Sequence, residues 1–248
     1  LKVVTVIPAR WGSKRLPGKA LQPVAGKPLI RWVIESAARA KAARRLLVAT
    51  DDARIAAVAR EAGAEAVMTG PEHTTGSDRC AEAVRGLDAD VVINVQGDEA
   101  TISPALIDRL AEALERDAEG RWDMATATAP LGADADPASP SIVKVVCDAE
   151  GRALYFSRAL IPHVRDAGET FDAPLYRRHL GIYAYRAAFL RRFAEAPRCP
   201  AERAEKLEQL RALHIGARIL VLQTEDEAGV GVDTAEDLAR AERALRGA

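Results

Sequence analysis

Arg10, Lys14, Arg15 and Lys19 place four cationic side chains within ten consecutive positions. Gly12, Pro17 and Gly18 punctuate the same stretch, so it is neither a strand nor a helix interior. Glycine lets backbone amides approach a ligand closely. Arginine clamps several phosphate oxygens, and lysine adds a mobile point charge. Together these suit a triphosphate. Two common phosphate fingerprints are absent. Five residues separate Gly12 from Gly18 and Ala20 follows Lys19, which breaks the P-loop spacing; Gly12 has no glycine two positions on, which breaks the dinucleotide pattern. Read blandly, the stretch is a solvated basic loop.

Asp98 and Glu99 supply the opposite charge, after an apolar run at 91–95 and Gln96-Gly97. A carboxylate at a strand end, facing cationic side chains, can hold magnesium that also binds phosphate. Asp233 offers a second carboxylate after Gly229-Val230-Gly231-Val232. Taken alone, Asp98 reads equally as a cap or exposed turn, and Asp233 as the N-cap of the last helix. His179, before a strand, reads alone as a packed histidine, and Arg158 as a surface arginine. His73, His163 and His214 form no recognisable ligand cluster with His179. Trp32 and Trp122 read as core or near-core residues.

The elements that must position these groups follow from periodicity. Residues 3–7 are a β-branched run closed by Pro8, hence a buried strand. Leu29, Ile30, Val33, Ile34 and Ala37 lie at helical spacing after Pro28. Residues 46–49 and 64–68 read as strands. Between them a helix capped by Asp51 or Asp52 carries Ile55, Val58, Ala59 and Ala62. A helix begins at Ser77 or Asp78 and ends near Gly86, a strand spans 91–95, and Ser103-Pro104 opens a helix carrying Leu106, Ile107, Leu110 and Leu114. Continuous apolar strands alternating with amphipathic helices predict a parallel sheet covered on both faces. The rhythm then changes. Strands are expected at 124–129, 142–147, 152–156, 180–185 and 218–223, and helices at 202–213 and 234–246, the last capped by Asp233 or Thr234. Residues 131–141, rich in Ala, Asp and Pro, read as an exposed connection.

Composition narrows the class. Of 248 residues, 48 % are hydrophobic and 29 % charged, which excludes disorder as the dominant state. Lys plus Arg number 35 against 36 Asp plus Glu, so no global basic field exists to hold a polynucleotide. No run of 18 apolar residues occurs, so no membrane insertion is expected. The start lacks a signal-peptide pattern, and the three scattered cysteines form neither a zinc spacing nor a disulfide framework. A cytoplasmic setting is expected.

The charged loops belong to a longer series of segments: Ile7-Pro8-Ala9-Arg10, Arg15-Leu16-Pro17-Gly18-Lys19, Gly76-Ser77-Asp78-Arg79, Asn94-Val95-Gln96-Gly97-Asp98-Glu99, Val143-Lys144-Val145-Val146, Leu154-Tyr155-Phe156-Ser157-Arg158, His179-Leu180-Gly181-Ile182-Tyr183, Leu207-Glu208-Gln209-Leu210-Arg211 and Gly231-Val232-Asp233-Thr234. Across nearly its whole length the chain resembles the 3-deoxy-manno-octulosonate cytidylyltransferases, which activate Kdo as CMP-Kdo. The basic loop alone resembles only the wider group of sugar-activating nucleotidyltransferases. The Tyr-Phe-Ser-Arg and His-Leu-Gly-Ile-Tyr segments make the likeness specific.

The resemblance implies an α/β, three-layer nucleotide-diphospho-sugar transferase fold over residues 1–248. Its central sheet is mostly parallel, with a small inserted sugar-binding and dimerisation lobe at about 142–215. It implies transfer of a cytidylyl group from CTP to Kdo, magnesium as cofactor, and a homodimer. It carries Arg10, Arg15 and Lys19 as triphosphate ligands. Ser77, Asp78, Arg79 and Gln96 match segments around the cytidine pocket. Asp98 and Asp233 match the magnesium carboxylates, and Arg158, His179, Glu208 and Gln209 the sugar site, with Lys206 and Arg211 flanking it. The chain departs from the pattern at Trp11-Gly12 (more often Tyr-Ala), at Ala100 (more often Pro) and at Ala204 (more often Ile). The change at 204 leaves room for a related acidic sugar, such as an amino-substituted Kdo analogue. A nucleotidyltransferase for a neutral phosphorylated sugar or alcohol also fits the basic loop, as does a non-catalytic nucleotide-binding protein with the same fold.

Overall fold

The β-branched run at the start forms β1 (Val3–Ala9), buried through most of its length at the middle of a seven-stranded sheet. In the computed structural model the chain is described apart from residues 14–15, 133–134, 167, 169–174, 226–228, 230, 233 and 248. β1 pairs in parallel with β4 (Leu46–Thr50) on one side and β6 (Val91–Val95) on the other. Next to β4 lies β5 (Glu65–Met68). Beyond β6 come β10 (Arg178–Arg186), β7 (Met124–Ala129) and β11 (Ile219–Gln223), giving the order β11-β7-β10-β6-β1-β4-β5. β10 runs antiparallel to both neighbours, whereas the other named pairings are parallel. The expected mostly parallel sheet is present, and β10 is its exception.

The chain steps from β1 outward to β4 and β5, then returns to β6 on the other side of β1. That reversal is a topological switch point, where open α/β sheets bind ligands beyond the strands' carboxyl ends. The two ladders also end at different places. Pairing with β4 runs to Ala9, but pairing with β6 stops at Val6 opposite Asn94. Pro8 has no amide hydrogen to continue a ladder.

Helices cover both faces. α1 (Leu29–Ala37), α2 (Ala53–Glu61) and α4 (Pro104–Glu115) bury Ile30, Ile34, Ile55, Leu106 and Leu110 against one face. α3 (Gly76–Ala83) and α5 (Ala187–Glu195) bury Cys80, Phe189, Leu190 and Phe193 against the other. No helix is expected at α5 from the sequence. Two short helices, α6 (Pro200–Glu205) and α7 (Gln209–His214), stand where one helix over 202–213 is expected. Lys206 takes a left-handed conformation (φ 56°) and breaks the run. Its residues are ordinary helix formers, so tertiary packing overrides local propensity here. β8 (Lys144–Cys147) and β9 (Ala153–Ser157) form a separate antiparallel hairpin. A two-residue pair, β2 (Pro23–Val24) and β3 (Lys27–Pro28), carries the last helix, α8 (Ala235–Arg246), on an apolar cluster of Val24, Leu29, Val232 and Ala241. No helix among the described residues is long and apolar enough to cross a membrane.

Candidate active site

A cleft of about 510 Å³ opens at the switch point, beyond the carboxyl ends of β1 and β6. Arg10, Lys19, Arg79, Gln96, Asp98 and Glu208 all line it, with the 73–76 segment. Its floor is backbone in close approach: a Cβ built on Gly97 would lie 2.8 Å from the Pro8 carbonyl oxygen, so only glycine fits.

On the side of the basic loop, Gly18 takes a left-handed turn (φ 63°) that delivers Lys19 into the cleft. Lys19 Nζ donates to Asp98 Oδ2 at 2.5 Å, both side chains being partly exposed to solvent. Arg10 follows β1 directly and is exposed at the cleft mouth. Arg15 lies outside the described residues.

The opposite wall is the start of α3. Thr75 caps it, accepting from the Asp78 amide at 3.2 Å, and Gly76 packs against Pro8 and the Gln96 side chain. Gln96 donates to Asn94 Oδ1 at 3.2 Å. Ser77 is buried and hydrogen-bonds Tyr185 at 3.0 Å. Asp78 accepts from Arg211 at 3.3 Å, and Arg211 also faces Glu202 at 3.4 Å. Arg79 is 2 % exposed and donates to Thr69 Oγ1 and Asp51 Oδ2.

The acidic-sugar candidates occupy a third region. Glu208 lies on the cleft wall with Oε2 buried and lacking a hydrogen-bond partner among the described groups. Burial, helped by the Asp78 charge, pushes its carboxyl above the usual range against hydrogen bonds from Ser77. Gln209 is buried behind it and accepts from the Tyr183 hydroxyl at 3.3 Å. His179 is buried on β10, edge-on to Phe156 with centroids 5.0 Å apart. Thr126 donates its hydroxyl hydrogen to the Ile182 carbonyl at 2.8 Å, so His179 Nε2 is the donor in the 3.0 Å contact with Thr126 Oγ1. Burial lowers the imidazole pKa to about 3 and keeps it neutral. A chain of rings links His179 through Tyr183 to Tyr185.

The sites expected from sequence therefore converge in part. Arg10, Lys19, Arg79, Gln96, Asp98 and Glu208 share the cleft; Ser77, Asp78, His179 and Gln209 stand behind its walls. Arg158 is apart from the lining residues. Its guanidinium donates to the carbonyls of Glu205 (2.7 Å) and Pro140 (2.8 Å). Two residues that sequence reasoning did not assign hold it there. Glu205 accepts from Ser157 Oγ and the Arg158 amide, and the buried Lys144 ammonium donates to the carbonyls of Ser139, Ile142 and Arg158. Glu205 has no local sequence signal, because its partners lie 47 and 48 positions away; Lys144 sits in a motif segment, but its contact with Arg158 comes only from the pairing of β8 with β9.

Among the described residues no three His, Cys, Asp or Glu side chains gather to hold a metal ion. Asp98 provides a hard oxygen donor in a cleft that it shares with Arg10 and Lys19, which suits magnesium. The 231–232 segment lies beside it: the Val232 amide donates to the Asp98 carbonyl at 3.1 Å, and Gly231 bridges to Glu99. Asp233, next in the chain, lies outside the described residues.

A sequence profile of the family described as cytidylyltransferase matches residues 4–219. A 3-deoxy-manno-octulosonate cytidylyltransferase from Pseudomonas fluorescens is 50 % identical over 97 % of this chain and 96 % of its own length. The chain belongs to the 3-deoxy-manno-octulosonate cytidylyltransferase family. A second such cytidylyltransferase, from an Anaeromyxobacter species, is 51 % identical over 98 % of this chain and 96 % of its own length. A solved structure of CMP:2-keto-3-deoxy-manno-octonic acid synthetase complexed with CTP superposes with a TM-score of 0.91 at 39 % identity, covering 100 % of this chain and 99 % of that one. The family expected from the motifs is confirmed, and with it the three-layer α/β fold and a nucleotidyltransferase activity.

Proposed function

We propose that this chain transfers the cytidylyl group of CTP to 3-deoxy-D-manno-octulosonate, giving CMP-Kdo and pyrophosphate. One observation carries the reading: a single cleft joins the basic loop, through Arg10 and Lys19, to Asp98, to the Gly76–Arg79 and Gln96 wall, and to Glu208. The C2 hydroxyl of the sugar attacks the α-phosphorus. A phosphorus–oxygen bond forms there as the bond to the bridging β-phosphate oxygen breaks in line, pyrophosphate leaves, and the hydroxyl proton passes to solvent. Both substrates are anionic, so their repulsion must first be cancelled. Arg10, Arg15 and Lys19 supply positive charge along the triphosphate and the departing pyrophosphate. Ser77, Asp78, Arg79 and Gln96 shape the cytosine pocket. Arg158, His179, Glu208 and Gln209 shape the sugar site. Bound magnesium would be held by Asp98 and Asp233, where it would neutralise phosphate charge and lower the hydroxyl's pKa.

Residues 142–215 contribute the sugar-binding and dimerisation lobe in this reading, and the protein acts as a homodimer in the cytoplasm. Exposed Leu154 and Tyr155 on β9 support a contact surface there. The three cysteines are unpaired, which supports a reducing compartment.

The test is pyrophosphate release from CTP, UTP, ATP and GTP against a panel of acidic sugars. CTP with Kdo should be the best pair and ATP and GTP poor, because a pocket built to hydrogen-bond cytosine leaves polar groups unpaired with a purine. Equal turnover with ATP sinks the base assignment. Faster turnover of an amino-substituted analogue than of Kdo reassigns the sugar.

A further inference from the structure

Asp51 stands at the end of β4, in front of α2, where a helix cap would be expected. It is not the cap. Asp52 fills that role, accepting from the amides of Arg54 (2.9 Å) and Ile55 (3.4 Å). The Asp51 carboxylate is turned to two other parts of the chain. Its Oδ2 accepts from Arg79 Nη2 at 3.1 Å, and its Oδ1 accepts from the Trp11 amide at 3.0 Å. Arg79 belongs to the wall opposite the phosphates, and its remaining reach is taken by Thr69 Oγ1 at the end of β5. Trp11 is the residue after Arg10, at the start of the basic loop.

Trp11 also closes that loop on itself. A Cβ built on Gly18 would lie 2.7 Å from Trp11 Cη2, so the indole rests against the turn that presents Lys19. The Arg54 guanidinium sits 3.5 Å from the ring centroid. One carboxylate thus ties a nearly buried guanidinium in the α3 wall to the amide of a residue whose ring touches the loop's other end.

We propose that Asp51, acting with Trp11, is the positioning device that sets the triphosphate loop against the base-binding wall, and that Arg79 serves the nucleotide by anchoring Asp51. The inference rests on CTP being the nucleotide bound in this cleft. Local turns hold the two ends of the loop, the Ser13 amide donating to the Trp11 carbonyl at 2.9 Å and the Lys19 amide to the Leu16 carbonyl at 3.1 Å; fixing Trp11 to Asp51 adds a restraint across the cleft and lowers the ordering entropy that phosphate binding must otherwise supply.

Calorimetric titration of the intact protein with CTP and, separately, CMP tests it. CMP keeps the base, the ribose and one phosphate but lacks the β- and γ-phosphates that the loop receives. Asp51→Asn keeps the shape and removes the charge. It should weaken CTP at least tenfold and leave CMP within twofold, and in turnover raise KM for CTP without raising KM for the sugar. Unchanged CTP affinity in the folded variant, or equal losses for both nucleotides, overturns the proposal. Should the buried guanidinium left unpaired prevent folding, Trp11→Ala decides. Trp11 is 37 % exposed, and removing its ring spares the Asp51–Arg79 pair. A roughly fivefold weaker CTP with unchanged CMP supports the device, and unchanged CTP overturns it. Failure of the unaltered protein to bind CTP would instead overturn the functional reading, and this inference with it.

Discussion

Lys19 and Asp98 are 79 positions apart, yet their side chains meet at 2.5 Å in the cleft. A carboxylate facing the basic loop was legible; that Lys19 is the cation it meets was not, since that depends on β1 and β6 being neighbours. Asp98→Asn keeps the side chain's size and removes its charge. Turnover at saturating CTP and sugar should fall at least about 100-fold, near 2.7 kcal/mol of transition-state stabilisation. Thermal stability should change little, because a partly solvated ion pair contributes at most about 1 kcal/mol. A folded variant retaining half its activity at saturating magnesium removes Asp98 from the mechanism. His179 yields a pH prediction. Burial holds its pKa at about 3, against an ordinary value of 6.5. Between those values the unfolded chain binds a proton that the folded one does not. Stability is therefore fully present above pH 6.5 and is lost as pH falls, by up to about 1.4 kcal/mol per unit for this group. Urea unfolding of the wild type and His179→Gln at pH 7 and 5.5 should show a shallower decline in the variant. Parallel declines would mean that the histidine is hydrated.

Helices and strands differ in how much of them periodicity reveals. The strand limits expected at 91–95 and 124–129 coincide with β6 and β7, a Val/Ile-rich run and a run of small and β-branched residues, each with a sharp polar or proline boundary. The Ser103-Pro104 start of α4 was equally plain. The break between α6 and α7 was not, since no Gly or Pro marks it. Its consequence is functional: it separates Glu205, which holds Ser157 and Arg158, from Glu208 on the cleft wall. At α8 two caps were open, and the structure supplies Thr234. Its hydroxyl accepts from the Asp237 amide at 3.2 Å while Asp237 accepts from the Thr234 amide at 2.9 Å. Thr234→Ala should cost about 1 kcal/mol, lowering the melting temperature by roughly 2–4 °C, with near-normal turnover at low temperature. Asp233→Asn should do the reverse, abolishing most turnover with little change in melting. A variant pair with those effects exchanged would make residue 233 the structural one.

At the scale of the whole molecule, a hairpin outside the main sheet carries exposed Leu154 and Tyr155, with β8 packed near β10 and β9 near α7. The proposed homodimer would use this hairpin as its contact surface. Sedimentation equilibrium at micromolar concentration should give twice the chain mass of 26.6 kDa. A monomer persisting there refutes the homodimer. Leu154→Asp should shift the equilibrium toward monomer without unfolding the chain, because the side chain is half-exposed already.

Residue order alone was enough to reveal the chemical inventory and its local setting: a basic, glycine-punctuated loop after a buried strand, an acidic turn after another, amphipathic helices between them, and motifs specific enough to name the family. Those features are short-range, written in spacing and residue type. Which of them meet depends on how the strands are ordered and packed. Strand order places β1 beside β6 and so brings Lys19 to Asp98; the antiparallel β10 carries His179 into the core as a neutral donor to Thr126. Asp51 was legible only as a possible cap, yet its carboxylate joins two walls of the cleft. Such roles depend on contacts between segments far apart in the chain, and no local periodicity encodes which distant partner a buried charge will find.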